Sequence, residues 1–338
     1  MRVALVCPAP RGSRLGNRIT ALRWAAMLRE LGHRAALVAP GEVPPCDLLI
    51  ALHARKSAAS VARSSQEAPG RPIVVALTGT DLYRDIHSDA GARRSLELAA
   101  RLIVLHAGAP AELPARLRGK TRLVPQSAPL PARLLRPRTG IFEVAVVAHL
   151  RVEKDPLRTA LAARLAPPES RLLVVHAGRA LTPAMRAAAL AEVRVNPRYR
   201  WLGEVPRWKA RALIGRARLL SVTSEMEGGA NVVSEAVAAG TPVVASRIPS
   251  MEAILGRRYP GLFPLGDQRA LAALLLRAER DRAFLLDLRG RCLALRKLLS
   301  PAREKAALRS LLLELAPRLT SAAPRSYGRA PRRTPGAP

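Results

Sequence analysis

The regular alternation of short apolar runs with longer amphipathic stretches constrains the fold of this chain more than any other feature. In the first part of the sequence, apolar runs predict β-strands at 2–7, 34–39, 47–52, 72–77 and 101–105. Amphipathic stretches predict helices at 17–31, with Asn17 as the expected N-cap and Gly32 just past the end, and near 91–100. Strands that alternate with helices in this way form parallel βαβ units.

The same alternation restarts after residues 127–140, a segment with three prolines that predicts a linker. Further strands are expected at 142–149, 171–176, 199–202, 217–223 and 243–246, with helices between them and more helices from 267 to about 316. The sequence therefore predicts an α/β chain of two Rossmann-like, doubly wound domains, 1–126 and 141–317, which face a cleft. A disordered basic tail is expected at 318–338.

The distribution of charge, apolar runs and cysteines argues against nucleic-acid binding, membrane insertion and a metal site. The formal net charge is +31, but the basic residues are spread along the whole chain, which favours a compositional bias over a nucleic-acid site as the main function. Apolar runs stay shorter than the roughly 18 residues that cross a bilayer, so no stable membrane insertion is expected. The widely spaced Cys7, Cys46 and Cys292 show no metal-ligand spacing and predict a reduced, cytoplasmic protein without a metal site.

The segment SEMEGGANVVSEA carries two carboxylates beside a glycine pair, where a strand should pass into a helix. Gly228 and Gly229 allow a ligand to approach the backbone, and a helix that begins near Ala230 and Asn231 presents free N–H groups to an anion such as a diphosphate. Glu235, further along this helix, can accept hydrogen bonds from a ribose diol. In the alternative interpretation, Glu235 is a charge on the helix surface and Glu227 a solvated loop residue.

The longer segment EGGANVVSEAVAAGTPVVAS resembles the donor site of retaining GT-B glycosyltransferases of family 4, whose signature is two glutamates separated by seven residues. Glu227 and Glu235 match this spacing. The resemblance implies that Glu235 binds the ribose of a nucleotide-sugar and Glu227 the donor sugar. Gly229 departs from the family, which usually has an aromatic residue there.

The segment AHLRVEKDPLR fits the same resemblance. Family members place an arginine and a lysine on the donor diphosphate; Lys154 matches the lysine, His149 stands where the arginine is usual, and Arg151 is the expected substitute. Lys154 and Arg151 would neutralise the charge that grows on the leaving diphosphate, which makes them catalytic candidates. A charged loop without this role is the alternative.

The loop after the first strand, PRGSRLGNR, contains two glycines and three arginines before a helix and is a second candidate anion site. In GT-B enzymes this loop faces the cleft near the acceptor, and its arginines suit a small anionic acceptor. The alternative is that they follow the overall bias towards arginine. The candidate acceptor-binding residues of this loop are Arg11, Gly12, Arg14, Gly16 and Arg18.

Several motifs together resemble a narrower family, the selenosugar synthases of selenoneine biosynthesis, over nearly the whole chain up to about residue 290. They are PRGSRLGNRITALRWA, ALHARKSA, VALTGTDLYRDI, HLRVEKDPLR, YRWLGE and SEMEGGANVVSEA. The resemblance implies transfer of a sugar from a UDP-sugar, such as UDP-N-acetylglucosamine or UDP-glucose, to selenophosphate. The UDP-sugar is a substrate, no cofactor is expected, and the oligomeric state stays open.

The segment TGTDLYRD follows a predicted strand, so its polar side chains should face the cleft. Thr80 is expected near the acceptor, and Asp81 is a candidate to orient the donor sugar or act on a proton, although a turn or cap role is an equal alternative. Thr78 and Arg84 belong to the same segment. Other candidates to meet a ligand are His53, Arg55 and Lys56 at another strand end, and Gln126 and Ser127 at the start of the linker.

Two other functions are also compatible with the sequence. A family-4 transferase with a lipid-linked or polysaccharide acceptor would need an amphipathic, apolar and basic acceptor helix. A non-catalytic protein that binds nucleic acid or polyphosphate would show steeply salt-dependent binding without turnover.

Overall fold

The computed structural model describes residues 1–133 and 135–321, with side chains up to residue 316. Within these residues the chain forms two parallel six-stranded sheets, each covered by helices on both faces. The prediction of two doubly wound α/β domains is confirmed. The expected tail lies largely outside the described residues; its first part, up to Ser321, continues the last helix.

The first sheet has the strand order β2-β1-β3-β4-β5-β6. Its strands are β1 (Arg2–Val6), β2 (Arg34–Val38), β3 (Leu48–Leu52), β4 (Ile73–Ala76), β5 (Arg101–Val104) and β6 (Thr121–Leu123). The helices of this half are α1 (Gly16–Glu30), α2 (Ala58–Glu67), α3 (Ile86–Ser88), α4 (Ala90–Leu98) and α5 (Ala115–Arg118), with a π-helical turn at Asp81–Asp85 and a 3-10 turn at Ala109–Glu112.

The second sheet has the order β12-β11-β10-β7-β8-β9. Its strands are β7 (Phe142–Val147), β8 (Leu172–Ala177), β9 (Tyr199–Trp201), β10 (Leu219–Val222), β11 (Val243–Ser246) and β12 (Leu262–Phe263). The helices are α6 (Arg158–Ala163), α7 (Pro183–Val195), α8 (Arg207–Arg216), α9 (Asn231–Ala239), α10 (Pro249–Leu255), α11 (Gln268–Arg280), α12 (Arg282–Ala294) and α13 (Pro301–Ser321), with a 3-10 turn at Val152–Lys154.

Strand β3 shows how the sequence pattern builds the first core. All five of its residues are apolar, as expected for a central parallel strand that is buried on both faces. Because side chains alternate along a strand, Leu48 and Ile50 pack towards α1, while Leu49 packs into the cluster that includes α2 and α4.

The last helix departs from the predicted domain assignment. The sequence interpretation placed all of 141–317 in the second domain, but α13 packs against α1 of the first. Its apolar residues Leu308, Leu311 and Leu315 recur at helical spacing and share a core cluster with Trp24. Burial of this stripe against the first sheet brings the end of the chain back to the first domain.

Helix α1 begins one residue earlier than predicted. Gly16 is its first residue and Leu15 occupies the N-cap position, so Asn17 lies inside the helix and is not its cap. The expected end is confirmed, because Gly32 follows the helix with a positive φ of 83°. Within the described residues, no helix is both long and apolar enough to cross a membrane.

Candidate functional site

A cavity of about 410 Å³ lies between the two domains, at the carboxyl ends of their strands. In the first sheet β1 separates β2 from β3, and in the second β7 separates β10 from β8. The strand order reverses at these positions, so the following loops diverge and leave a crevice. The loops after β1, β7 and β10 all line the cavity, together with the loop after β4.

The loop after β10 delivers the start of helix α9 to this cavity. Gly228, Gly229 and Ala230 line it, and Ala230 adopts a left-handed conformation with φ 47°, which turns the chain into the helix. Among the described residues, no side chain caps this helix start. The first N–H groups of α9 are therefore free to bind an anion such as a diphosphate.

Gly229 is the position where the resemblance leads one to expect an aromatic side chain. A Cβ atom at Gly229 would lie 2.7–2.8 Å from atoms of the Gln126 side chain. Gln126 itself lines the cavity and donates a hydrogen bond to Thr20 Oγ1 at 2.9 Å. In this arrangement Gln126 occupies the space that a side chain at 229 would need, so a larger residue there would require Gln126 to move.

Glu227 and Lys154, which both line the cavity, form an ion pair. The Lys154 ammonium donates to Glu227 Oε1, and the Ser224 hydroxyl donates to the same oxygen at 2.7 Å. Both charged side chains line the cavity and are mostly buried. The pair joins two loops and places one cation and one carboxylate beside the start of α9.

Glu235 lies one helical turn beyond the start of α9 and is 8% exposed. Burial raises the pKa of its carboxyl group, and the nearby Arg207 guanidinium opposes that rise. Arg207 donates to Glu235 Oε1 from Nη2 at 3.3 Å. Arg207 was not among the predicted site residues. It could have been found because it stands at the start of a predicted helix just after a strand.

Arg151 and His149 line the cavity on the side of the second domain, and Arg14 lines it on the side of the first. Arg151 Nε is 3.9 Å from Glu153 Oε2. His149 Nε2 is 3.4 Å from the Arg14 carbonyl oxygen, so the loops after β7 and β1 touch across the cleft. Burial lowers the pKa of His149, so His149 is neutral at pH 7.

The predicted acceptor loop is only partly at the cavity. Arg14 and Gly16 line it, whereas Arg11, Gly12 and Arg18 lie outside its wall. Arg11 and Gly12 are exposed on the outer turn of the loop. Arg18 does not reach the cavity because a different face of α1 lines it. That face carries Gly16, Ile19 and Leu22, which recur at helical spacing, and also Asn17.

Asp81 does not line the cavity, and its contacts fit the alternative role of a turn or cap residue. Its side chain is fully buried and accepts hydrogen bonds from the backbone N–H groups of Ala54, Thr78 and Gly79 at 2.8–2.9 Å. A buried carboxylate that satisfies three backbone donors fixes the loop that carries them. Asp81 therefore holds this loop in place, whereas Thr80 lines the cavity.

His53 reaches the cavity from the end of β3 with an unusual left-handed φ of 73°. Burial lowers the pKa of its imidazole, which favours the neutral ring, although the Asp81 carboxylate opposes this shift. Its Nδ1 accepts from the Lys56 N–H at 3.4 Å, so Nε2 carries the proton and lies 3.1 Å from Thr80 Oγ1. The Thr80 hydroxyl hydrogen is then free to point at a ligand.

The remaining candidates separate into cavity and scaffold residues. Lys56 and Thr78 line the cavity. Arg55 pairs with Asp85, and Arg84 lies outside the cavity wall and bridges the domains through Glu153 Oε1 at 3.0 Å. Ser127 is buried against Glu304. In the described part of the chain, no cluster of three or more histidine, cysteine or acidic residues could hold a metal ion.

Two parallel-sheet domains that face each other across a cleft define the GT-B class of fold. Residues 144–281, within the second domain, match the family model described as glycosyl transferases group 1. A search of curated protein sequences gives no match. The fold and the family match together support a glycosyltransferase.

Solved structures agree with this fold. Anabaena HepE in complex with UDP is 16% identical with a TM-score of 0.74, and the alignment covers 93% of this chain and 100% of HepE. Sucrose-phosphate synthase from Thermosynechococcus elongatus is 17% identical with a TM-score of 0.72, over 94% and 99% of the two chains. A glycosyltransferase from Rickettsia africae is 12% identical with a TM-score of 0.70, over 93% and 98%.

Proposed function

We propose that this chain transfers a sugar from a UDP-sugar to selenophosphate and so makes a carbon–selenium bond. One observation carries the proposal: the cavity has cationic groups on both walls. Lys154, Arg151 and the start of α9 lie on the second domain, while Arg14 and Lys56 lie on the first. Two facing positive sites suit a donor with a diphosphate and a small anionic acceptor.

The donor is assigned to the second domain. The free N–H groups of α9 and the Lys154 ammonium would hold the diphosphate, and Glu235 would accept hydrogen bonds from the ribose diol. Glu227, paired with Lys154, would receive hydroxyl groups of the sugar. Complexes of Anabaena HepE with UDP and with UDP-glucose support a UDP-linked donor, because HepE shares this fold.

The chemistry uses charges that the chain itself supplies. Selenium of selenophosphate gives a lone pair to the anomeric carbon, the carbon–oxygen bond to UDP breaks, and its electron pair leaves on the diphosphate. Lys154 and the start of α9 stabilise that growing charge. Hydrolysis of the selenium–phosphorus bond, with water as the co-reactant, then releases phosphate and leaves the selenosugar.

The resemblance to selenosugar synthases supports selenophosphate as the acceptor, and the geometry adds the neutral His53. Its proton lies towards Thr80, so the Thr80 hydroxyl can donate to a phosphate oxygen while Arg14 and Lys56 supply charge. UDP-N-acetylglucosamine and UDP-glucose are the donors to test.

A second candidate is a group 1 transferase with a lipid-linked acceptor. Leu15, Ile19 and Leu22 line the cavity beside Arg14, and Leu22 is 50% exposed. An apolar and basic stripe on α1 is the feature that a lipid acceptor would use.

Mass-spectrometric product analysis separates these functions. The protein is incubated with each UDP-sugar and either selenophosphate or a lipid-phosphate acceptor in vesicles. A selenosugar that forms only when both selenophosphate and a UDP-sugar are present supports the first proposal, and glycosylated lipid supports the second. Release of neither product with any UDP-sugar would contradict both and favour a non-catalytic, polyanion-binding protein.

A further inference from the structure

Glu304 of α13 is fully buried at the junction of the last helix, α1 and the linker. It accepts from Trp24 Nε1 at 2.7 Å, from Arg23 Nε at 2.8 Å and from the Ser127 backbone N–H at 3.0 Å. A buried carboxylate needs such partners, since an unpaired charge away from water is strongly destabilising. Glu304 therefore fixes the position and the plane of the Arg23 guanidinium.

The Nη1 end of the same guanidinium contacts the second domain. Arg23 Nη1 donates to Asn231 Oδ1 at 3.0 Å, and Asn231 is the first residue of α9 in the second domain. The Arg23 side chain is only 9% exposed, and its Nη2 is buried without a hydrogen-bond partner among the described residues. The planar guanidinium is a rigid fork, so its hold on Glu304 also sets the direction of its second arm.

Through Asn231, the Arg23 side chain contacts the wall of the cavity. Asn231 lines the cavity, and the Arg23 charge is one of the cations that oppose the burial-raised pKa of Glu235. Arg23 and Asn231 belong to different domains, so their hydrogen bond joins the two domains at this point. The contact thus links the interface between the domains to the start of the helix that presents free N–H groups.

We propose that Arg23 is a positioning residue that uses its contact across the domain interface to orient Asn231 at the start of α9. The inference rests on the proposed function, in which α9 binds the donor diphosphate. Arg23 acts through Asn231, so its loss lowers turnover while the second domain still binds UDP. Glu304 holds the Arg23 guanidinium in the orientation that this contact needs.

A double-mutant cycle between Arg23 and Asn231 tests the coupling. Arg23→Lys keeps a charge for Glu304 but loses the fork, which protects folding better than Arg23→Ala. We expect Arg23→Lys and Asn231→Ala each to lower kcat roughly tenfold to hundredfold, the effect of one lost charge-assisted hydrogen bond. The donor KM and the UDP affinity by calorimetry should stay within about twofold.

The double variant decides the outcome. If the two side chains act through one contact, Arg23→Lys adds no further loss of kcat in the Asn231→Ala background. Losses that multiply would overturn the proposal, as would a loss of UDP affinity equal to the loss of kcat. Lys305→Ala is the matched control, because it removes an exposed ion pair to Glu30 between the same two helices. It should leave kcat, KM and the unfolding midpoint unchanged.

A failure of the proposed function can be distinguished from a failure of the Arg23–Asn231 contact. Wild-type protein that binds no UDP and turns over no UDP-sugar removes the donor assignment. The same cycle is then measured on the midpoint of thermal unfolding without ligand. Non-additive midpoint shifts support the contact between Arg23 and Asn231, and additive shifts overturn it.

Discussion

Gly228 of the second domain lies directly against the carbonyl oxygen of Thr78 in the first. A Cβ atom at Gly228 would be 2.4 Å from that oxygen, and a Cβ at Gly79 would be 3.1 Å from the Gly228 nitrogen. The two loops therefore meet backbone to backbone, which only glycine permits. This contact places the start of α9 opposite Thr80.

Gly228→Ala should separate the loops and impair turnover. A displacement of about 1 Å at a reacting site costs on the order of 10²-fold in rate, whereas UDP, which is assigned to the second domain, should bind nearly as before. Steady-state kinetics and a UDP titration measure both effects. Gly290→Ala is the control, because a Cβ at Gly290 meets no heavy atom within 4 Å. Normal turnover in Gly228→Ala would show that the loops part without consequence.

Lys154→Ala should lower kcat more than it weakens UDP-sugar binding. The diphosphate gains charge as its bond to the sugar breaks, and loss of one stabilising donor costs about 10²–10³ in kcat. The variant also leaves Glu227 with Ser224 as its remaining side-chain partner. Lys209→Ala, an exposed lysine on α8, is the control. If the donor KM rises while kcat stays, Lys154 acts only in binding.

Glu235→Gln should weaken UDP-sugar binding by about 1.5–3 kcal/mol, because the charged acceptor for the ribose is lost. Burial raises the pKa of Glu235 above 4.5, so donor affinity of the wild type should fall with decreasing pH before 4.5 is reached. The variant should lack this fall, while Glu225→Gln, at an exposed position, should retain it. Identical pH profiles for the wild type and Glu235→Gln would exclude Glu235 as the titrating group.

The raised pKa of Glu235 also predicts how the free energy of unfolding changes with pH. A carboxyl whose folded pKa lies above its unfolded value binds protons on folding, so its contribution to stability is complete below 4.5 and is lost as pH rises through the folded pKa. Thermal unfolding of the wild type and Glu235→Gln across this window measures the difference. A wild type that gains stability relative to the variant as pH rises would contradict the assignment.

The alternation of apolar and amphipathic segments was enough to predict both sheets, because a parallel strand such as β3 is apolar on both faces. Helix α2 was missed, since the residues that AASVARSSQE buries are Ser60, Val61 and Ser64, which are small or polar and do not look like a core-facing stripe. The motif around Glu227 and Glu235 was predictable because its residues are close in the chain. The roles of Arg23, Arg207 and Glu304 were not, since their partners are 28 to 281 residues away.

Metal removal should leave activity intact. The donor diphosphate is assigned to Lys154, Arg151 and the N–H groups of α9, which together supply the positive charge that a divalent ion would otherwise bring. Turnover is compared before and after EDTA treatment, with added magnesium or manganese as the control. Activity that disappears with EDTA and returns with one of these ions would contradict this expectation.

Arg14 and Arg11 provide a matched pair for the acceptor site. They lie three residues apart in the loop after β1, but Arg14 lines the cavity and Arg11 lies outside its wall. If Arg14 binds selenophosphate, Arg14→Ala loses a charge-assisted hydrogen bond to a phosphate oxygen and should raise the acceptor KM roughly tenfold or more. UDP affinity should be unchanged, and Arg11→Ala should behave as the wild type.

The measurement varies selenophosphate at saturating UDP-sugar and titrates UDP separately. Arg18→Ala serves as a second control, since Arg18 is in the first turn of α1 but outside the cavity wall. Equal losses of acceptor and donor affinity in Arg14→Ala would assign the loop to the diphosphate instead. Equal effects of Arg11→Ala and Arg14→Ala would mean that the overall positive charge attracts the acceptor, since long-range attraction does not depend on which arginine faces the cavity.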